Sequence, residues 1–131
     1  MEDQTSGAIF DDSQVLLDVL AIIFRDYPEY KFSYFIDGNV FLKSVTDQLE
    51  LALIDIHAPN FNVVEAVKTI REKSKACYII VMSADRDWDV LLELHRLGIM
   101  DYCDKGSKDF GKELLDAVKL AHEKIQLKKG A

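Results

Sequence analysis

Short apolar runs alternate along the chain with longer segments in which apolar residues recur at helical spacing. Continuous runs such as residues 52–54 and 78–82 are typical of strands buried on both faces, as in parallel sheets. The runs that predict strands are residues 8–10, 31–36, 49–55, 77–83 and 100–104, although the aromatic residues of the second could equally pack against a helix. The segments that predict helices are residues 14–26, 38–47, 62–73, 87–97 and 108–127. This alternation predicts an α/β fold with a doubly wound five-stranded parallel sheet and five flanking helices.

Length and composition fit a single domain of this kind. The chain has 131 residues, of which 49% are apolar, so it can bury a core without disulfides or metals. We expect residues 1–7 to form a disordered leader and residues 8–128 to form the domain. The most apolar segment, residues 15–24, contains Asp18 and is too short to cross a bilayer, so no membrane insertion is expected.

The charge balance and the cysteines indicate which partners and which cellular compartment fit this chain. Sixteen Lys and Arg residues against 23 Asp and Glu residues give a formal net charge of −7, which opposes direct binding to nucleic acid. Cys77 and Cys103 show no metal-ligand spacing and stand beside apolar residues, where a free cysteine behaves as a small hydrophobe. This cysteine usage fits a reduced, cytoplasmic protein.

Polar residues that could take part in chemistry end or directly follow four of the five predicted strands, namely Asp11, Asp12, Asp55, Ser83 and Lys105. In doubly wound sheets, ligands bind at the carboxyl ends of the strands. Three carboxylates converging there repel one another unless a cation lies among them, and their hard oxygens with phosphate nearby favour Mg²⁺. A carboxylate can also attack a phosphoryl group, while a hydroxyl and an ammonium stabilise the transferred oxygens. The set therefore predicts a phosphoryl-accepting site.

Each of these residues also has a plain local role to weigh against the functional one. The acidic pair could cap the first helix, Asp55 could end its strand in a turn, Ser83 could cap the fourth helix, and Lys105 could be a solvated loop lysine. Their joint placement at strand ends favours the functional interpretation.

The segments that carry these residues resemble the receiver domain of two-component response regulators, in order and very nearly in spacing. They are IFDDS, LALIDIHAP, IIVMSA and GIMDYCDKG, and the resemblance covers nearly the whole chain. It implies a flavodoxin-like sheet of order 2-1-3-4-5. It also implies a phosphorylation-dependent switch rather than an enzyme, one that supports its own phosphotransfer and slow dephosphorylation.

The resemblance assigns a role to each matching position. Asp55 corresponds to the phosphoacceptor. Asp12, Asp55 and the backbone carbonyl of His57 correspond to the Mg²⁺ ligands, and Asp11 joins through the water shell of the metal.

The remaining matches belong to the phosphoryl contacts and the switch. Ser83 corresponds to the hydroxyl that binds the phosphoryl group, and Lys105 to the lysine that pairs with it. Tyr102 occupies the aromatic switch position, and Ala84 matches the small residue that leaves the site accessible.

Three positions depart from the family pattern. Ala58 precedes Pro59 where the family commonly has Met-Pro, Val63 replaces a glycine, and Gly106 replaces the proline that usually follows the lysine with a cis bond. A cis bond is costly before any residue other than proline, so the geometry of the Lys105–Gly106 bond stays open.

The resemblance implies a histidine kinase or phosphotransfer protein as donor, with a downstream protein or an output domain outside this chain as target. A phosphorylation-dependent dimer is a further expectation. Trp88, Leu92 and Tyr102 are candidate contacts of the output surface, although the first two could be lightly exposed apolar residues without a role. The first helix is apolar on more than one stripe, which could pack internally or meet a kinase or second subunit.

Three alternative functions remain to be weighed. An aspartyl-nucleophile phosphatase usually has a second Asp two residues after the nucleophile, where this chain has His57. A flavin carrier would need a Ser/Thr/Gly-rich phosphate loop after the first strand. A degenerate receiver that binds partners without phosphorylation stays open because of the altered lysine loop.

Overall fold

Five strands and five helices alternate along residues 3–130, the part of the chain that this computed structural model describes. The strands are β1 (Thr5–Phe10), β2 (Tyr30–Phe35), β3 (Leu51–Asp55), β4 (Tyr78–Ser83) and β5 (Asp101–Asp104). The helices are α1 (Gln14–Phe24), α2 (Gly38–Ser44), α3 (Val63–Lys73), α4 (Trp88–Arg96) and α5 (Phe110–Gly130).

The strands form one parallel sheet in the order β2-β1-β3-β4-β5, as predicted. Phe10 pairs with Ile54 across β1 and β3, and Ser83 pairs with Asp104 across β4 and β5. Because the register aligns the carboxyl ends of these strands, the residues that follow them meet at one edge of the sheet.

Alternate side chains of each strand point to opposite faces of the sheet, and each face is covered by helices. On β3, Leu51 and Leu53 pack towards α1 and α5, while Ala52 and Ile54 pack towards α2, α3 and α4. All four of these side chains are fully buried. This two-sided burial explains why the run shows no apolar–polar alternation in the sequence.

Local signals set most of the helix ends. Asn62 accepts a hydrogen bond from the backbone N–H of Glu65 and caps α3. For α4 the cap is Asp87, which accepts from the N–H of Val90, whereas Asp85 lies in the preceding turn. At the other end of α4, Gly98 adopts a φ of +83°, a conformation that glycine takes at no steric cost.

The predicted boundaries need correction at both ends of the domain. β1 begins at Thr5, so residues 5–7 belong to the sheet rather than to a leader, and α5 continues past residue 128 to Gly130. The N–H of Thr5 donates to the carbonyl of Glu29, and its hydroxyl lies 2.6 Å from Nδ1 of His122 on α5. Residues 1 and 2 of the predicted leader lie outside the described residues. Within residues 3–130, no helix is both long and apolar enough to cross a membrane.

Candidate functional site

Three carboxylates converge at the carboxyl edge of the sheet. Asp11 and Asp12 follow β1, and Asp55 ends the neighbouring β3. One oxygen from each of the three lies within 4.8 Å of the others. Asp11 and Asp55 are buried, with 0% and 4% of their surface exposed, whereas Asp12 faces solvent. Such a cluster of hard oxygens, open on one side, fits a divalent cation that keeps part of its water shell.

Lys105, immediately after β5, compensates part of this negative charge. Its Nζ lies 2.5 Å from Oδ2 of Asp11 and 3.1 Å from Oδ1 of Asp55. The backbone N–H of Lys105 donates to the carbonyl of Ser83, which fixes the start of the loop. Burial alone would lower the pKa of Lys105, but the two carboxylates outweigh it and raise that pKa, so the side chain stays an ammonium at neutral pH.

The acidic residues influence one another and also fill a local structural role. Partial burial, followed by the hydrogen bond and the charge of Asp55, raises the pKa of Asp12. Oδ1 of Asp11 accepts the N–H of Ser13, and Ser13 in turn caps α1. Asp11 therefore shapes the turn into α1, while its other carboxylate oxygen contacts Lys105.

Ser83 lies at the same edge, but its hydroxyl is engaged in a tight turn. Oγ of Ser83 donates to the carbonyl of Asp85 at 2.6 Å and accepts the N–H of the same residue at 3.1 Å. The side chain is fully buried. In this state the hydroxyl therefore holds the β4–α4 loop rather than contacting the carboxylate of Asp55.

The side chain of Tyr102 on β5 packs against the core below α4, and its hydroxyl is buried without a hydrogen-bond partner among the described residues. Burial and then the charge of Asp104 raise the pKa of this phenol, against the opposing influence of Arg86. Arg86 and Asp104 form a loose ion pair of 3.8 Å beside it. The sequence did not predict this pair, since the resemblance assigns no role to either residue.

The positions that depart from the family pattern are accommodated without distortion. None of the described residues forms a cis peptide bond, so the Lys105–Gly106 bond is trans. The N–H of Gly106 donates to Oδ1 of Asp104. Ala58 and Val63 are buried in the core, which fills the space around the loop after β3.

His57 lies on that loop with an exposed side chain, and only a long contact of 3.4 Å joins its N–H to Oδ1 of Asp55.

Large apolar side chains are exposed on two helices near the site. On α4, Trp88 is 68% exposed and Leu92 is 51% exposed, which leaves both available for contact. On α1, the exposed apolar residues follow helical spacing along one face, namely Val15, Val19 and Ile22. The outer stripe of α1 is therefore not packed internally.

Comparison with known proteins identifies the family. A family model for the response regulator receiver domain matches residues 8–119, and the chain belongs to that family. A comparison with curated protein sequences found no significant match.

Solved structures agree with this family in fold. The response regulator domain of Thermotoga maritima CheB is 25% identical, with a TM-score of 0.78 over 92% of this chain and 97% of that one. A CheY-like receiver domain protein from Methanospirillum hungatei is 19% identical, with a TM-score of 0.83 over 96% and 98% of the two chains. The signal receiver domain of an HD domain-containing protein from Pseudomonas fluorescens is 21% identical, with a TM-score of 0.82 over 95% and 98%.

Proposed function

We propose that this receiver domain is a phosphorylation-dependent switch in which Asp55 accepts a phosphoryl group in the presence of Mg²⁺. The observation that carries the proposal is the environment of Asp55. Its buried carboxylate lies beside two further acids and within 3.1 Å of a lysine ammonium, at the carboxyl edge of a parallel sheet. The arrangement provides a nucleophile, an oxygen-rich cation site and a fixed positive charge in one place.

In the proposed step, a carboxylate oxygen of Asp55 forms a bond to phosphorus. The bond from phosphorus to the imidazole nitrogen of the donor breaks, and that nitrogen leaves with the electron pair and takes a proton from solvent. Bound Mg²⁺ would supply charge neutralisation for the phosphoryl oxygens. Lys105 neutralises negative charge beside the nucleophile before and after the transfer.

The ion would be held by Asp12, Asp55 and the backbone carbonyl of His57, with Asp11 acting through water. The exposure of Asp12 supports its place on the ion, because the ion would enter from the solvent side. Both oxygens of Asp11 already have partners, Ser13 and Lys105, which supports its more distant role. Ser83 is the proposed hydroxyl ligand of the phosphoryl group and Tyr102 the aromatic residue that responds to it.

Two of the three alternatives, the phosphatase and the degenerate receiver, receive less support from the site. A phosphatase of the aspartyl-nucleophile class needs an acid where this chain has His57, so the domain is proposed to be a switch with slow dephosphorylation rather than an enzyme. A degenerate receiver would have no use for the compact set of Asp11, Asp12, Asp55 and Lys105.

The proposed donor is a histidine kinase or a phosphotransfer protein in the cytoplasm. The proposed receiver of the signal is a partner protein, an output domain beyond this chain, or a second copy in a phosphorylated dimer. Trp88 and Leu92 are proposed to belong to the output surface together with Tyr102, because both side chains are exposed on α4 next to the loop that Ser83 holds. Neither direct nucleic-acid binding nor membrane insertion is proposed.

The test is to incubate the purified chain with Mg²⁺ and acetyl phosphate and to measure its intact mass. We expect one phosphoryl adduct on the wild type and on Asp26→Asn, a matched change of an exposed acid outside the site. We expect none on Asp55→Asn, and none on the wild type when EDTA replaces Mg²⁺. An adduct that persists on Asp55→Asn would disprove the assignment, and a wild type that stays unmodified would favour the degenerate receiver.

A further inference from the structure

The two ends of α4 are held in different ways. At its C-terminal end, the N–H of Gly98 donates to the carbonyl of His95, and the N–H of Ile99 donates to that of Leu94. This pattern, with Gly98 in the left-handed conformation, closes the last turn of the helix. Leu94 in the same turn is fully buried in the core.

Arg71, near the end of α3, secures this end further. Its guanidinium donates through Nε to the carbonyl of Leu97 at 3.2 Å, through Nη2 to that of Gly98 at 2.6 Å, and through Nη1 to that of Cys77. One side chain thus ties the end of α4 to α3 and to the residue before β4. A planar guanidinium can hold three carbonyls in a fixed direction, which a lysine cannot do.

The N-terminal end of α4 has much weaker attachments. Asp87 caps it with one hydrogen bond of 3.3 Å, and residues 84–86 are exposed. Arg86 of the preceding loop forms a loose ion pair with Asp104 on β5, 3.8 Å apart. Among the described residues, the side-chain hydrogen bonds that join this loop to the sheet are the two between Ser83 and the backbone of Asp85. If the hydroxyl of Ser83 turned to a phosphoryl group, both of these bonds would break.

We propose that Arg71 is a positioning residue that makes the C-terminal end of α4 a fixed pivot, about which the N-terminal half moves when Asp55 is phosphorylated. The proposal rests on the proposed function, because it takes the phosphoryl group as the new partner of Ser83. Trp88 lies about 13 Å from Leu97 along the helix. Each degree of rotation about the fixed end would therefore displace Trp88 by about 0.2 Å while the Arg71 contacts stay in place.

The first test is hydrogen–deuterium exchange of the full chain with and without Mg²⁺ and beryllofluoride, an aspartyl-phosphate mimic. We expect the ligand to change exchange within residues 84–92 and to leave residues 94–99 unchanged. The fluorescence of Trp88, the single tryptophan, should report the same movement. Equal changes at both ends of α4 would overturn the pivot.

The second test removes the contacts of Arg71 with the C-terminal end of α4. In Arg71→Met, amide exchange of residues 94–99 should rise roughly tenfold or more, because charged hydrogen bonds to the helix end are lost. Beryllofluoride should then alter exchange at both ends of α4, and the change in Trp88 fluorescence should shrink. Arg71→Lys should recover little of the wild-type pattern, and it serves as the informative variant if Arg71→Met does not fold.

Lys73→Met is the matched control. Lys73 lies on the same helix and donates to one backbone carbonyl, that of Leu42, on the side away from α4. The Lys73→Met variant should keep the wild-type pattern of exchange with beryllofluoride.

A purely structural role for Arg71 would have a different signature. Arg71→Met would then lower the stability of the domain, while the exchange response to beryllofluoride would stay confined to the N-terminal half of α4. That result would refute the proposal.

Failure of the pivot and failure of the proposed function give different results. Adduct formation with acetyl phosphate is measured by intact mass on each variant. An adduct on Asp55 with uniform change along α4 refutes the pivot alone, whereas absence of the adduct in the wild type refutes the proposed function.

Discussion

Among the described residues, Lys105 supplies the one ammonium that contacts the acidic cluster, so replacing it with Met leaves the three carboxylates uncompensated. The side chains of Asp11 and Asp55 are 0% and 6% exposed, and that of Lys105 is 19% exposed. At an effective dielectric constant of about 20, each contact near 3 Å is worth about 5 kcal/mol. Desolvation of the ammonium cancels much of that attraction, and the loss of one partner from a buried pair costs roughly 3–5 kcal/mol. We expect Lys105→Met to lower the free energy of unfolding by about 3 kcal/mol in EDTA.

The assay is urea unfolding at pH 7, followed by circular dichroism, in EDTA and in excess Mg²⁺. The raised pKa of Lys105 keeps the wild-type side chain charged at this pH, and its contribution would be lost only as the pH rises through that value. Mg²⁺ should stabilise Lys105→Met more than the wild type, since the ion replaces the missing positive charge. Adding Asp55→Asn to Lys105→Met should recover about 1–2 kcal/mol in EDTA by removing one of the opposed charges.

Lys112→Met provides the control for this prediction. Lys112 pairs with Asp116 at 3.8 Å on α5, but both side chains are largely exposed, so its removal should change stability by less than about 0.5 kcal/mol. Two results would show that the proposed charge balance of the site is incorrect. One is a loss of unfolding free energy in Lys105→Met no larger than that in Lys112→Met, and the other is equal stabilisation of Lys105→Met and the wild type by Mg²⁺.

Three further predictions concern single side chains. Burial raises the pKa of both Cys77 and Cys103 to about 12, so neither thiol should be alkylated by iodoacetamide at pH 8 until urea unfolds the chain. The contribution of this shift to the free energy of unfolding should fall as the pH rises from about 8.5 towards 12. Rapid labelling of the folded chain would refute the predicted burial of the thiols. Tyr102→Phe should raise the free energy of unfolding by about 1 kcal/mol, because it removes a buried hydroxyl without a partner; a loss measured by urea unfolding would show a missed hydrogen bond. His57→Ala should change the dephosphorylation rate of Asp55, timed by intact mass, through altered water access; an unchanged rate would exclude a role for this side chain.

The sequence predicted the sheet well because burial on both faces produces short apolar runs, and here they alternate regularly with longer segments of helical spacing. It failed at the start of β1, where residues 5–7 had been assigned to a leader. Thr5 is ordered by contacts with His122 and Gln126, which lie more than a hundred residues away and leave no local signal. The sequence also does not decide which residue caps α4, since Asp85 and Asp87 are chemically equivalent as caps and only the path of the loop makes Asp87 the cap.

Convergence of the acidic residues with Lys105 was predictable, because topology alone brings strand ends together. The state of each side chain was not. Nothing in the sequence indicates that Ser83 bonds the backbone of Asp85, or that the hydroxyl of Tyr102 is buried without a partner. The three carbonyl contacts of Arg71 were equally hidden, because their acceptors are backbone atoms that carry no residue-specific pattern.

The hydrogen bonds of Ser83 determine the difference in free energy between the two states of the proposed switch. Release of Ser83 from Asp85 would cost two neutral hydrogen bonds, each worth a net of about 1 kcal/mol. A new hydrogen bond from its hydroxyl to a charged phosphoryl oxygen would contribute about 1.5–3 kcal/mol. The cost of the lost hydrogen bonds and the gain from the new one nearly cancel, so phosphorylation would shift the populations of two arrangements of α4 rather than fix one of them. A partner that binds exposed Trp88 in one of these arrangements could then determine which arrangement is more populated. Partner binding and phosphorylation should consequently strengthen each other by the same factor.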